Sequence, residues 1–221
     1  LPNITRVLHE GFAGIEKQAR EAMANLDLVD PELCYKQHFY EAVLVICGGI
    51  RTFQKRFAKL AREMADAEPD PRRARELQMI AENCDQVPYQ PARNFWEALQ
   101  SYWFVLLIDY CSQNGSAISG GRVDQMFYPY YEADLKSGRM VREEAGELLE
   151  ALWVKHSDII KAGTYSSARN NGGFATTINV VLGGLNEKGE DAVNDLTYLC
   201  LEAEEAVFNS EPNTSIRLSS K

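Results

Sequence analysis

Three short stretches hold the residue types best suited to binding or transforming a small molecule. They are NGSAISGGRVDQ at 114–125, SSARNNGG at 166–173 and NSEPN at 209–213. Each mixes carboxamide, hydroxyl or charged side chains, which hydrogen-bond polar ligand groups. At the ends of strands in an α/β barrel such loops hold the chemistry, while the regular elements hold the loops. Taken singly, each also has an ordinary reading: Gly115, Gly120 and Gly121 permit tight backbone geometry, and Asn170–Asn171 makes a turn. Other reactive types are less promising. His9, His38 and His156 fall far apart within predicted helices, none with a partner at metal-ligand spacing, and read as surface or satisfied helix histidines. The cysteines at 34, 47, 84, 111 and 200 form no CxxC pair, which argues against a zinc site or disulfide framework and for reduced, buried thiols. No phosphate loop, dinucleotide fingerprint or nucleophile elbow is present, and the glycines of LGGLNEKG lack the GxGxxG spacing.

The elements that must position these loops are mostly helical. Ile4, Leu8, Ile15, Ala19 and Met23 mark one amphipathic face, with a gap at Phe12–Ala13. A longer stripe of Phe39, Val43, Ile46, Ile50, Phe53, Phe57, Leu60 and Met64 predicts a long helix burying those residues, with Gly48–Gly49 as an interruption. EPDP at 68–71 breaks the chain, Ala74, Leu77, Ile80 and Cys84 resume a short helix, and VPYQPA at 87–92 breaks it again. Asn94 and Glu97 then stand as a capping box before FWEALQSYWFVLLIDY, apolar almost all round and so expected deep in a large core. A helix is expected over 126–136, ending at Ser137–Gly138. The next carries Ala145, Leu148, Leu149, Leu152 and Trp153 on one face, behind the poor N-cap Val141. FATTINVVLGG reads as a strand, Asp191 as the start of a helix with Val193, Leu196, Cys200, Ala203 and Val207 inward, and NTSIRLSS as a second strand. A strand–helix–strand order opens an α/β sheet or barrel, and two strands cannot complete one. The 221 residues therefore read as a fragment, or as a chain that a partner completes.

Composition excludes some functions. With 23 basic and 32 acidic residues the net charge is −9, which argues against non-specific nucleic-acid binding. LPNITRVLHEGF has no signal-peptide pattern and no apolar run approaches a membrane span, so a cytoplasmic chain is expected.

In order and spacing, VPYQPARNFWEALQSYWF, NGSAISGGRVDQMFYPYYEADLKSGRM, REEAGELLEALWVK, GGFATTINVVLGG and NDLTYLCLEA resemble the glycyl radical enzyme family. The resemblance implies a helix-rich α/β fold, part of a ten-stranded barrel of two half-sheets, with helices leading into the first barrel strands. Residues 1–165 would be the mainly helical part of a single pyruvate formate-lyase-type domain, and 166–221 its first strand–helix–strand. It further implies a homodimer, a small-molecule substrate, a separate radical-SAM activating enzyme, and a protein-derived glycyl radical, with no metal or organic cofactor. The family passes the radical from a C-terminal RVxGY-like glycine to a cysteine in a Cys-x-Glu loop, and neither segment is found in this chain. Cys200-Leu201-Glu202 matches the letters of the second, but about 200° of helical rotation separates its ends, so no catalytic residue is assigned.

The resemblance also singles out the first loop. Diol- and choline-type members read NGHSISPGRFDQ there, with a His-Ser pair reaching the substrate, where this chain has Ser116 and Ala117. Losing an imidazole and a hydroxyl weakens the case for a diol substrate and leaves room for a bulkier or less polar one. Arg122 and Asp124 match the family's GRxDQ and complete the expected substrate-binding set; two residues apart at a helix start, they also read as a loop-fixing ion pair. Ile178 replaces a frequent Gln and would make the barrel wall more apolar if it faces the lumen. The expected activity is radical C–C or C–heteroatom cleavage, for example arylacetate decarboxylation. The alternatives are formate C-acetyltransferase chemistry and a non-catalytic truncated relative.

Overall fold

The computed structural model describes residues 2–27, 33–113, 118–159, 164–170 and 178–219. They divide into two compact units: Asn3–Arg93 with Gln100–Phe104, and most of the rest. Among the described residues no helix is long and apolar enough to cross a membrane.

The first unit contains α1 (Ile4–Ala24), α2 (Cys34–Ala67) and α3 (Pro71–Gln86). Asn3 caps α1 by accepting from the Arg6 amide at 3.1 Å. The gap at Phe12–Ala13 marks a real break, because Gly11 has φ 64° and ψ 172° inside the helix. A kink releases backbone groups that need new partners. Here Phe12 N donates to Pro88 O at 3.1 Å, Ala13 N to Tyr89 O at 2.7 Å, and Leu8 O accepts from Ala92 N at 3.0 Å. The VPYQPA turn thus replaces the missing turn of helix.

The long helix α2 forms as expected and runs unbroken through Gly48–Gly49, but a different face is buried. Cys47, Ile50, Gln54, Ala58 and Ala61 are buried, whereas Phe39, Ile46, Phe57, Leu60 and Met64 are 64, 58, 40, 52 and 48% exposed. The buried face carries the small residues Ala58 and Ala61, and Ala81 is buried on α3, which packs against α2; small side chains suit the close approach of packed helices. Phe53 remains half-buried, packed edge-on to Phe104 at 5.5 Å beside Ala58 and Cys84. The one polar residue on the buried face, Gln54, donates to Asp85 O at 3.0 Å and accepts from Tyr89 N at 2.9 Å.

The second unit starts with the first turn of α4 (Phe95–Gln113). The expected cap is present, with Asn94 Oδ1 accepting from Glu97 N at 2.9 Å, and the carboxylate of Asp134 accepts from Phe95 N at 2.7 Å. The α4 residues Phe95, Ala98, Tyr102 and Leu106 are all fully buried, in keeping with the all-round apolar pattern. The chain continues through β1 (Ser119–Arg122), α5 (Val123–Ser137), α6 (Arg142–Asp158), α7 (Tyr165–Asn170), β2 (Asn179–Gly183), α8 (Asp195–Val207) and β3 (Asn213–Arg217). All strands are parallel, in the order β1-β2-β3.

Strand β1 was not expected, since residues 114–125 read as loop, and α5 starts three residues earlier than its apolar pattern indicated. Helix α8 begins after Asn194, whose side chain accepts from Thr197 N, while Asp191 sits in a bridge with Leu185. The cap wins because Asn194 and Thr197 satisfy each other's amides. At the start of α6, Val141 offers no side-chain cap, and Glu144 reaches back to its amide at 3.1 Å. Two of the five cysteines, Cys34 and Cys111, are exposed where buried thiols were expected; all five are free.

One face of the sheet is packed. Ile178, Val180 and Leu182 are fully buried, and α5 lies against β2 and α8. Glu204 of α8 joins the layers, accepting from Trp153 Nε1 of α6 at 2.7 Å and Thr214 Oγ1 of β3 at 2.6 Å.

Two outcomes follow from this architecture. A Cβ on Gly11 would lie 2.4 Å from Tyr89 O, on a positive φ, so Gly11→Ala should lower unfolding stability by about 2 kcal/mol or more, read from urea denaturation. His156 is fully buried, and burial lowers its pKa from 6.5 to about 4. Between those values the unfolded chain binds the extra proton, so stability falls as pH drops through that window and is fully present above pH 6.5. The span corresponds to roughly 3 kcal/mol; His156→Phe should flatten this part of the stability–pH curve in unfolding titrations.

Candidate functional site

The parallel register aligns the starts of the three strands that follow the candidate stretches in the chain. Ser119, Asn179 and Asn213 are neighbours across β1, β2 and β3, and each stands at the first position of its strand. The stretches 114–118, 171–178 and 208–212 lead directly into that row. Ser116, Ala117 and residues 171–177 lie outside the described residues. Of the rest, Asn170 ends α7 and is exposed, as are Asn209 and Ser210. Glu211 instead turns inward at 5% exposure. Its carboxylate accepts from Ile178 N at 2.6 Å, its carbonyl accepts from Ser157 Oγ at 3.2 Å, and Asn213 N donates to Ile178 O at 2.7 Å. Glu211 thereby joins the third loop to the entrance of β2. Sequence reasoning had included this carboxylate in its loop without giving it a role.

The sheet face opposite Ile178, Val180 and Leu182 is open. Asn179 and Val181 are only half-buried, and Ser215 is exposed. Ile178 is buried on the packed face, with the helices, so its apolar side chain does not line the open face. Asn179 Nδ2 donates to Ser215 Oγ at 3.1 Å, and Ser119 Oγ donates to the Asn179 carbonyl at 3.2 Å. The register irregularity between Ser119 and Gly121 adds a residue to β1 and brings Arg122 level with Val181.

Arg122 and Asp124 act at the other end of β2. The guanidinium donates to Gly183 O at 2.7 Å and Leu185 O at 2.9 Å. Asp124, fully buried, accepts from Gly183 N and from Thr197 Oγ1, both at 2.7 Å. Among the described residues no ion pair joins the two side chains; each fixes the same corner of β2. That corner needs glycine, because Gly183 has φ 66° and a Cβ there would meet Arg217 O at 2.9 Å. Gly183 stands four residues beyond Asn179, about 13 Å along the strand. Arg122 and Asp124 therefore fix β2 at the end away from Asn179.

Cys200 and Glu202 point apart on α8. Cys200 is fully buried, and its thiol is pushed well up, first by burial and then by the Asp124 and Glu204 carboxylates. The Glu202 side chain is 55% exposed and pairs with Arg142 at 2.7 Å, which lowers its pKa. Among the described residues no group of three His, Cys, Asp or Glu is placed to hold a metal ion.

Comparison with known proteins places this geometry. A family model described as pyruvate formate lyase-like matches residues 1–221. The isethionate sulfite-lyase of Desulfovibrio desulfuricans is 42% identical over 98% of this chain, which covers 26% of that protein. A solved structure concerning 1,2-propanediol dehydration in Roseburia inulinivorans superposes with a TM-score of 0.95 at 40% identity, covering 98% of this chain and 27% of the other. More distantly, the indoleacetate decarboxylase of Tractidigestivibacter scatoligenes is 30% identical over 96% of this chain and 24% of its own length. The chain thus spans about a quarter of the length of these relatives.

Asp124 gives the site its testable feature. Asp124→Ala leaves a buried amide and hydroxyl without their acceptor and should destabilise by about 3 kcal/mol. Thr197→Ser, which keeps the hydroxyl, should cost less than about 1 kcal/mol. Denaturant midpoints of both variants check the ordering.

Proposed function

The chain belongs to the pyruvate formate lyase-like family of glycyl radical enzymes, and on that premise we propose that the full-length protein is a lyase cleaving a C–C or C–heteroatom bond of a small organic substrate by radical chemistry. The observation that supports this reading is the alignment of Ser119, Asn179 and Asn213 at the starts of three parallel strands, in a chain that matches the family from end to end. These residues form part of one catalytic domain. Its radical-storing glycine and hydrogen-abstracting cysteine belong to segments outside this chain, and a separate activating enzyme installs the radical. The working protein is a homodimer, as the resemblance implies.

The substrate is not a simple diol. Ser116 and Ala117 contact it where diol-type members carry His and Ser, and Arg122 and Asp124 bear on it only by fixing β2. Without that imidazole and hydroxyl, a second substrate hydroxyl has fewer partners to pair with, and discrimination for it is lost. Similarity to a protein named for releasing sulfite from isethionate supports cleavage at a carbon–heteroatom bond. The more distant indoleacetate decarboxylase supports arylacetate decarboxylation less strongly.

The test is to activate the full-length protein anaerobically and assay isethionate, indoleacetate, 1,2-propanediol, choline, and pyruvate with coenzyme A. A glycyl radical doublet in the electron paramagnetic resonance spectrum and turnover of an acid are expected. Fast propanediol turnover would sink the substrate reading, acetyl transfer from pyruvate would replace it with formate C-acetyltransferase activity, and absence of the doublet would leave a non-catalytic relative.

A further inference from the structure

We infer that Asn179 and Ser215 form a recognition pair on the open face of the sheet, donating hydrogen bonds to the anionic oxygens of an organic acid substrate. The inference rests on the radical-lyase reading, in which the face away from the helices lines the reaction chamber.

The geometry favours these two residues over the rest of that face. Asn213 is Asn179's register partner, and Ser215 is that of Val181, two residues along. The contact between Asn179 Nδ2 and Ser215 Oγ at 3.1 Å is therefore diagonal across β2 and β3. It uses one of the two amide N–H groups and leaves the second, and the Ser215 O–H, as donors. The neighbouring Ser119 hydroxyl donates to the Asn179 carbonyl, fixing the row from the β1 side. Two neutral donors side by side, with no carboxylate among the hydrogen-bond partners of either within the described residues, suit a carboxylate or sulfonate oxygen. Val181, on the same face and level with Ser215, offers an apolar floor for the carbon skeleton next to that oxygen. The packed face offers nothing comparable: Ile178, Val180 and Leu182 are sealed, and Thr214 is bonded to Glu204.

A polar pair across two strands also has a purely structural role, steadying the sheet by about 0.2–1 kcal/mol. The two roles differ in what a substitution changes. Asn179→Asp keeps the shape and places a negative charge where the acid would bind, and Ser215→Ala removes one donor. Binding is measured by calorimetry on the full-length protein before activation, with isethionate as the sulfonate probe, indoleacetate as the carboxylate probe and 1,2-propanediol as the neutral one.

The expected result is that Asn179→Asp weakens at least one acid about tenfold or more, and Ser215→Ala weakens the same acid about threefold or more. Propanediol affinity should stay within about twofold in both variants. Which acid responds identifies the anionic group. The inference is overturned if wild-type protein binds neither acid, if acids and diol weaken together, or if both acids keep their wild-type affinity in Asn179→Asp. The radical doublet of activated wild-type protein is scored separately, so a protein that fails to form the radical is told apart from one whose Asn179 and Ser215 are bystanders.

Discussion

The carboxylate of Asp124 holds the second unit together at its most constrained point. It sits at the start of α5 and accepts from a strand amide, Gly183 N, and a helix hydroxyl, Thr197 Oγ1. Burying a polar group is costly unless donors replace water, and both donors here converge on one oxygen, Oδ2. From the same corner Arg122 binds the carbonyls of Gly183 and Leu185, and Gly184 N reaches Arg217 O on β3. Four successive residues of the chain, Arg122 to Gln125, therefore decide where β2 ends and where α8 lies; even Gln125 donates to Ala192 O at 2.6 Å. The open row of Ser119, Asn179 and Asn213 keeps its alignment because the other end of the sheet is tied in this way.

The first unit solves a similar problem with backbone groups at its centre. Gly11 breaks α1, and the released amides and carbonyl are all taken up by residues 88–92. Tyr89 is held from several sides, its amide by Gln54, its hydroxyl by Glu16 at 2.7 Å and its ring under the Arg51 guanidinium at 5.0 Å. The Glu16 carboxyl is lowered in pKa by Tyr89 first and Arg20 second, which fits a carboxylate serving as the acceptor for both.

Much of this was legible in the sequence where one residue type has one physical use. Asn94 and Glu97 announced the start of α4, Gly138 the end of α5 with φ 69°, and the gap at Phe12–Ala13 the break in α1. Elements defined by relations between distant residues were harder to read. Strand β1 is SGGR, with no alternation to detect, and exists because β2 pairs with it. The buried face of α2 includes the small residues Ala58 and Ala61 and the polar Gln54, so counting large apolar ones pointed to the wrong face. Arg122 and Asp124 were recognised as a pair, but that both serve Gly183, 59 or more residues away, is written only in the fold. Ser116 and Ala117 lie outside the described residues, and what the site shows is the strand they lead into.

The exposed side of α2 has a consequence for how this surface behaves in water. Phe39, Ile46, Phe57, Leu60 and Met64 form a ribbon of oily surface along one helix, of a kind that monomers rarely leave in contact with solvent. Such a ribbon is adhesive, and it invites self-association wherever nothing covers it.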